Sequence, residues 1–451
     1  MPLRRRLGLL LGLLATVVAT RTAGAQQGVI ALSLGDAARL AARQNAGAVA
    51  ARYRTEQADA RAVQRRSELL PNISGLVLDN ERTFNSASFG ISIPGAPGQP
   101  PVFPPDGTVL GPVKNWDFRG RLTQTLVDFG AFQRLGSARA TAAAYGADAN
   151  NVADLAASAG AIAYLRVLRA EAAVRARTAD SLLAQELIGI AQDQLTSGIG
   201  IGLDVTRARS QAAATRAQLI AARAERDRSR LDLQRALGLS LDQAVTLTDS
   251  LGLTASSIPY PGERDAIDNA LRARPDLAAL GAQLEAQRRA VSAVGAERYP
   301  TVAAFADQGV TGISLNRLLN TYTWGVQVSI PIFEGFRHEG RATEQSAALR
   351  ELEVRERDLR QQVAIEVRGA LLDVASAREQ ADAAQVRLRL AEQELSEARD
   401  RFKAGVAGNS DVIQSSLQLN GARTLLVDAL TQYHVARLAV ARVQGAITKL
   451  P

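Results

Sequence analysis

The octapeptide Gly198-Ile-Gly-Ile-Gly-Leu-Asp-Val205 recurs later in the chain as Gly405-Val-Ala-Gly-Asn-Ser-Asp-Val412. Both copies read glycine, five further residues and then Asp-Val, and the same offset aligns Gly238 with Gly445. Self-similarity at this distance indicates a chain built from two copies of one structural unit. Each copy is predicted to run helix, strand, loop, strand, long helix, turn and helix.

The repeat divides the chain into predicted segments. After an export signal come a first repeat, a linker, a second repeat and a short tail, at residues 1–25, 26–238, 239–262, 263–447 and 448–451. The first copy also contains an insertion rich in proline and glycine within 93–107, which is typical of a loop.

Each repeat is predicted to contain one very long helix, at residues 132–195 and 339–402. At 1.5 Å per residue each would be on the order of 95 Å long, which is longer than a compact domain. Shorter helices are predicted at 34–70 and 264–299, because each of these segments ends at a proline. The second long helix has an apolar seam whose steps alternate four and three residues, the period of a coiled coil: Val363, Val367, Ala370, Val374, Ala377, Ala381, Ala384, Leu388, Ala391, Leu395, Ala398 and Phe402.

Two segments of about ten residues alternate apolar and polar side chains, as a strand with one apolar face does. The apolar positions of 115–124 include Trp116, Phe118 and Leu122, and those of 321–330 are Tyr322, Trp324, Val326, Val328 and Ile330. Less regular strands are predicted at 73–89 and 302–310. The length of about ten residues of the two regular segments matches a tilted strand that crosses a bilayer. An ordinary soluble hairpin is the alternative.

Residues 1–25 have the three parts of a secretory signal: Arg4-Arg5-Arg6, an apolar run at 7–19 and Ala23-Gly24-Ala25 before the cleavage point. The run is too short for a membrane anchor, which needs about 20 apolar residues. An exported chain argues against a cytosolic coiled-coil rod. Since no later segment is a candidate spanning helix, a membrane crossing would have to use strands. Four strands cannot close a barrel, so two or three copies of the chain would have to complete it.

The composition excludes several classes of function. The chain has no cysteine and two histidines, His338 and His434, which excludes thiol catalysis and a multi-histidine metal cluster. Lys+Arg exceeds Asp+Glu by 53 to 45, but the signs alternate along helices, as at 351–360, which favours ion-paired helix faces over nucleic-acid binding. Gly198-x-Gly-x-Gly is not a phosphate loop, because a helix precedes it. We predict no enzyme activity and no cofactor.

The chain resembles the outer-membrane efflux protein family, the TolC-like channels, over nearly its whole mature length. The resemblance is carried by Leu69-Leu70-Pro71, Arg274-Pro275-Asp276-Leu277, Ile332-Phe333-Glu334-Gly335 and the doubled Gly-x5-Asp-Val. It implies a mainly α fold with transmembrane β: a homotrimer with a twelve-stranded β-barrel in the outer membrane, four strands from each chain, above a trimeric α-barrel of long coiled-coil helices in the periplasm. Residues 239–262 and the two chain ends would form an equatorial region. The implied partners are a periplasmic adaptor, an inner-membrane pump and outer-membrane lipid, in drug efflux or type I secretion.

The resemblance also implies that the two Gly-x5-Asp-Val turns form the gated periplasmic tip and the adaptor contact, with Gly198, Gly200, Gly202, Asp204, Gly405, Gly408, Asn409, Asp411 and Gln414. From the residues alone, the glycines suit left-handed helix ends, and the two aspartates are predicted to cap the following helices. A ring of three Asp411 carboxylates around the closed pore, which would favour cations, is the functional hypothesis. The best-studied family member has a second carboxylate at the position of Gln414 and an arginine that locks the aperture at the position of Ala407. This chain lacks both side chains, so the bonds that lock that gate are not carried over to it.

The prediction is therefore a passive trimeric conduit of an efflux pump or type I secretion system, whose energy comes from the inner-membrane partner. The alternative is a periplasmic coiled-coil adaptor or scaffold without a pore. An adaptor would have one helical hairpin flanked by split β-domains, whereas this chain repeats its strand–helix pattern.

Overall fold

The computed structural model describes residues 29–90, 98–99, 106–252, 262–404, 406 and 408–450. The predicted export signal, most of the proline- and glycine-rich insertion, Gly405 and Ala407 lie outside these residues. The helices are α1 Leu34–Gln44, α2 Ala46–Ser67, α3 Phe129–Thr196, α4 Gly202–Leu237, α5 Glu263–Ala273, α6 Pro275–Ala296, α7 Arg337–Lys403 and α8 Asn409–Val443. The strands are β1 Ile30–Leu32, β2 Asn72–Asn85, β3 Val109–Val127, β4 Val245–Leu247, β5 Thr301–Gly312 and β6 Leu319–Ser329.

The two very long helices are confirmed, since α3 has 68 residues and α7 has 67. The predicted seam of α7 is also confirmed. Ten of its twelve residues are buried. The other two, Leu388 and Ala398, are partly buried and pack against the apolar clusters that the ten help to form. These clusters combine the seam with buried residues of α8, and also of α5 and α3. The coiled-coil period thus identified the contact face of the helix.

The shorter helices were predicted wrongly as single elements, because each is two helices joined at one extended residue. Asn45, at φ −55° and ψ 135°, ends α1, and its side-chain oxygen caps α2 by accepting from the Gly47 amide at 2.8 Å. Arg274 is extended at φ −71° and ψ 126°, because Pro275 disfavours the helical conformation in the residue before it. Pro275 then opens α6, where its missing N–H costs nothing.

Strands β2, β3, β5 and β6 form an antiparallel sheet in that order. Helices α2, α3, α6 and α7 pack side by side in the matching order. Along the chain, α2 leads into β2, β3 into α3, α6 into β5 and β6 into α7. Each strand therefore continues into the helix at the same position of the layer, so the sheet and the four helices form one continuous wall.

A short parallel pair, β1 with β4, was not predicted. It lies against a core of α1, α3 and α4. The hydroxyl of Tyr164, which is fully buried on α3, donates to the Leu32 carbonyl at 2.9 Å and lies 2.9 Å from Asp249 Oδ2. Burial raises the pKa of Tyr164 to about 12, so the hydroxyl stays a neutral donor. Strands of three residues show no periodicity that a sequence pattern can reveal.

Helices approach each other closely through small residues. At Gly160, on α3, an added Cβ would lie 2.5 Å from the Cβ of Ala41 on α1. On the exposed faces the predicted alternation of charge forms ion pairs one turn apart, such as Arg360 with Glu356 at 2.8 Å.

Candidate functional site

The four-stranded sheet has two chemically different faces. In an antiparallel register, directly paired residues share a face, and Leu122, Ala306 and Trp324 form one such row. Every second residue from this row points to the same side of the sheet. The central part of that side is what we call the apolar sheet face: Ile73, Gly75, Val77, Trp116, Phe118, Gly120, Leu122, Gln124, Val302, Ala304, Ala306, Gln308, Val310, Tyr322, Trp324, Val326 and Val328. None of these residues is charged. The same face is charged at one end of the sheet, where Asp79 is paired with Trp116 and Glu81 with Lys114, and Lys114 lies 3.7 Å from Asp79.

The residues expected to face the membrane are brought together on this apolar sheet face. Tyr322 and Trp324 are 73% and 75% exposed, and Val326 and Val328 are also exposed. Trp116 and Phe118 are half-buried and stack with their ring centroids 5.9 Å apart. Leu122 is exposed on the same face, whereas Ile330 lies one residue beyond β6 and is exposed there. Large exposed apolar side chains on a single sheet face are typical of a surface that another apolar phase covers.

The opposite sheet face contains ion pairs. Arg121 of β3 makes two contacts with Asp307 of β5, at 2.6 Å from Nε to Oδ1 and 3.3 Å from Nη2 to Oδ2. Asp307 is buried, and Arg119 pairs with Asp117 at 2.9 Å on the same face. A sheet whose central rows are uncharged on one face and charged on the other has the pattern of a strand layer between an apolar phase and water.

At the other end of the long helices, α3 turns into α4. Gly198 has a left-handed backbone, with φ 76°, as the glycine pattern predicts. The amides of Ile199 and Gly200 both donate to the Gln194 carbonyl, at 3.0 and 2.9 Å, which closes the end of α3. Gly202 is the first residue of α4.

The two Gly-x5-Asp-Val turns lie against each other. The side-chain amide Nδ2 of Asn409, the first residue of α8, donates to the Asp204 carbonyl at 2.9 Å. Gln194, near the end of α3, donates to the carbonyl of Phe402 near the end of α7 at 2.8 Å. We call residues 194–205 together with 402–412, except the undescribed Gly405 and Ala407, the helical tip. The Asn409 side chain is 1% exposed, and its Oδ1 has no partner among the residues the structure describes.

The capping role predicted for the two aspartates is wrong. The N-caps are Ile201 and Gly408, and neither supplies a side-chain hydrogen bond. Asp204 and Asp411 lie in the first turn, where a carboxylate still interacts favourably with the helix dipole.

The carboxylates of the tip differ in their surroundings. Asp204 is 3.9 Å from Arg207, a cation one turn further along α4, whereas Asp411 and Gln414 are exposed to solvent. The valines that follow the aspartates were not singled out from the sequence. Val205 and Val412 are buried in the apolar clusters of the tip, so the Asp-Val pair combines a first-turn charge with a packing anchor.

The described part of the chain shows neither a membrane-spanning helix nor a metal site. None of the helices there combines the length and the apolar character needed to cross a bilayer. No group of histidine, aspartate and glutamate side chains within that part of the chain is arranged to hold a metal ion.

The model of one protein family, described as outer membrane efflux protein, matches residues 37–239 and 266–446, which is most of the chain. Among curated protein sequences no significant match was found.

Solved structures of outer membrane channels share the fold. The CmeC channel of Campylobacter jejuni has a TM-score of 0.73 at 17% identity, covering 92% of this chain and 85% of CmeC. VceC of Vibrio cholerae has a TM-score of 0.72 at 18% identity, covering 91% and 96%. The open state of MtrE of Neisseria gonorrhoeae has a TM-score of 0.73 at 17% identity, covering 92% and 89%. At these identities the likeness concerns the fold.

Proposed function

The chain belongs to the outer membrane efflux protein family, whose members are channels, and on this premise we propose that it is the passive trimeric conduit of a tripartite efflux pump or type I secretion system. It would cross the outer membrane as strands, extend into the periplasm as helices, and open and close at the helical tip. The inner-membrane partner would supply the energy.

One observation carries this proposal: the sheet and the four-helix layer have the same order and form one wall. The outer strands of this sheet, β2 and β6, each have one paired neighbour among the described strands. An unpaired strand edge in lipid leaves backbone N–H and C=O groups without hydrogen bonds, at several kcal/mol each. Pairing β6 of one copy with β2 of the next removes both edges. Three copies would give a twelve-stranded barrel above an α-barrel, each chain supplying the two structural repeats expected from the sequence.

The chemistry of the sheet supports the same orientation. The apolar sheet face would contact lipid, because it is uncharged across its central rows. The Arg121–Asp307 pair would then face the water-filled interior, where a charge-assisted pair is tolerated. A periplasmic adaptor without a pore, the alternative function, would have water on both sides of this sheet. Water on both sides does not explain why Tyr322 and Trp324 are exposed on the apolar sheet face.

The helical tip is the proposed contact with a periplasmic adaptor. In the described structure its two turns are held together by Asn409 and Gln194. Adaptor binding would favour a state in which these turns separate, which is a population shift between closed and open forms. Three exposed Asp411 carboxylates near the axis would favour cations in the closed form.

The membrane contact is testable by fluorescence, because the chain has two tryptophans, Trp116 and Trp324, and both lie on the apolar sheet face. The full chain would be reconstituted in vesicles with bromine-labelled lipid. We expect strong quenching of both single-tryptophan variants, W116F and W324F, and weak quenching by aqueous iodide. Quenching by iodide but not by brominated lipid would overturn the proposal.

The conduit itself is testable in planar bilayers. We expect discrete conductance steps from purified detergent-extracted trimers. A well-folded monomer that neither inserts nor conducts would contradict the proposed function, whatever its fold.

A further inference from the structure

A groove of about 700 Å³ opens where the helix layer meets the sheet. Its walls come from the end of α2, the start of α3, the end of α6 and the start of α7. Since α2 and α7 are the outermost of the four side-by-side helices, a cavity that touches both of them lies on the concave side of the layer. In the proposed conduit the concave side faces the lumen.

Alanines from three of the four helices line this groove. Ala58 of α2, Ala138 of α3, and Ala290 and Ala293 of α6 all contribute to its lining. The short side chains create the concavity, because larger residues at these positions would fill it. Ala138 and Ala290 are partly exposed in the groove, whereas Ala58 and Ala293 are buried, and the lining also includes the polar side chains of Gln64, Ser137, Thr141 and Gln345.

The rim of the groove is rich in arginine. Four arginines, Arg61, Arg65, Arg134 and Arg341, line it together with two glutamates, Glu68 and Glu297. Glu68 is shared, because Arg65 lies 2.7 Å and Arg134 3.1 Å from its carboxylate oxygens. Arg341 pairs with Glu297 at 2.6 Å. The lining thus has two more positive than negative side chains.

Arg61 differs from the other three arginines. It has no carboxylate within ion-pair distance in the described part of the chain, and its side chain is exposed at the groove. Arg65, Arg134 and Arg341 join helices or turns through their ion pairs, which explains them as structural residues. Arg61 lines the same groove without an ion pair of this kind, so it has no such structural explanation.

We propose that this groove is a lumenal binding site for anionic amphiphiles, molecules with a carboxylate or sulfonate group on an apolar body. The acid group would bind the Arg61 guanidinium, whose planar N–H donors match two oxygens of such a group. The body would lie against the partly exposed Ala138 and Ala290 and remove their apolar surface from water. A cationic amphiphile of similar size would be repelled by the excess of arginine. The proposal rests on the proposed function, because it requires the concave side to face a lumen.

The test is block of single-channel current by 1-anilinonaphthalene-8-sulfonate, an aromatic anion, compared with ethidium, an aromatic cation. The wild-type trimer should be blocked by the sulfonate at concentrations where ethidium has little effect. R61Q should raise the half-blocking concentration about tenfold, which is the loss of one charge-assisted hydrogen bond of about 1.4 kcal/mol. R61K, which keeps the charge, should restore part of the block.

The matched control is R66Q. Arg66 lies on the same helix but does not line the groove, so its substitution should leave the block unchanged. Normal conductance with equal block of wild type and R61Q would overturn this inference and leave the proposed function intact. Equal block by both ions would likewise overturn it. Loss of all conductance in the wild type would instead contradict the proposed function.

Discussion

A buried ion cluster joins α3 to α8, and substituting its carboxylate should destabilise the protein strongly. The side chain of Asp180, on α3, has no exposed surface. Arg177 of α3 approaches it at 3.2 Å and Arg423 of α8 at 2.7 Å, and each arginine side chain is about a quarter exposed. The amide of Asn420, oriented to satisfy its hydrogen bonds, donates to the same carboxylate. D180N keeps the shape of the side chain and removes its charge, so two largely buried cations lose their counter-ion.

The size of the effect follows from burial. Removing one partner of a buried ion pair costs about 3–5 kcal/mol, and the partial exposure of both arginines favours the lower end. The same two helices supply a control, since Arg169 pairs with Asp428 at 2.8 Å with both side chains about half exposed. Exposed pairs contribute about 0–1 kcal/mol, so D428N should have little effect.

The assay is the rate of unfolding in urea, followed by circular dichroism at 222 nm on the detergent-solubilised protein. If the cluster is formed only in the native state and is broken in the transition state, a loss of about 3 kcal/mol of native-state stability accelerates unfolding about 100-fold. D428N should accelerate unfolding less than about fivefold. If D180N unfolded no faster than D428N, the burial argument for this cluster would be refuted.

Three further predictions concern the helical tip, a half-buried histidine of α8 and the end of α4. N409L removes the hydrogen bond that joins the two tip turns and should raise the open probability in planar bilayers several-fold without loss of trimer; unchanged gating would show that the bond does not hold the tip closed. Burial lowers the pKa of His434 from its ordinary value near 6.5, so the folded state favours the neutral ring, and the stability of the fold should decrease as the pH drops below 6.5. In thermal melts, H434Q should lose less stability between pH 7 and pH 5 than the wild type does. An equal loss in both proteins would contradict this prediction. At Gly238 the backbone is left-handed, with φ 69°, and an added Cβ would lie 2.3 Å from the Gln44 carbonyl oxygen. In urea titrations, G238A should therefore lower the free energy of unfolding by more than the about 1–2 kcal/mol that left-handed backbone strain alone costs. Gly335 is also left-handed but has open space around it, so G335A should lower the free energy of unfolding only by that strain.

Periodicity predicted the elements whose side-chain directions are set by the local backbone. A helix repeats every 3.6 residues and a strand every two, so a pattern of apolar residues identifies both the element and its contact face. For this reason the seam of α7 and the apolar positions of β6 were readable from the sequence. The same logic fails for short elements, and it missed the β1–β4 pair and the break at Asn45, where a single extended residue leaves no trace in the pattern.

Contacts between distant residues depended on the tertiary structure. The bond from Asn409 to the Asp204 carbonyl, the cluster of Asp180 with Arg423 and the groove below Arg61 join segments that are from tens to more than 200 residues apart in the chain. No spacing in the sequence specifies such a pairing, because it depends on which helices become neighbours and in which register. The matching order of strands and helices in the wall arises in the same way. The sequence by itself determined which segments are helices or strands and which face each of them buries. Only the packed structure decided which segments become neighbours, because the pairing of segments depends on the apolar surface buried over the whole chain rather than within any one element.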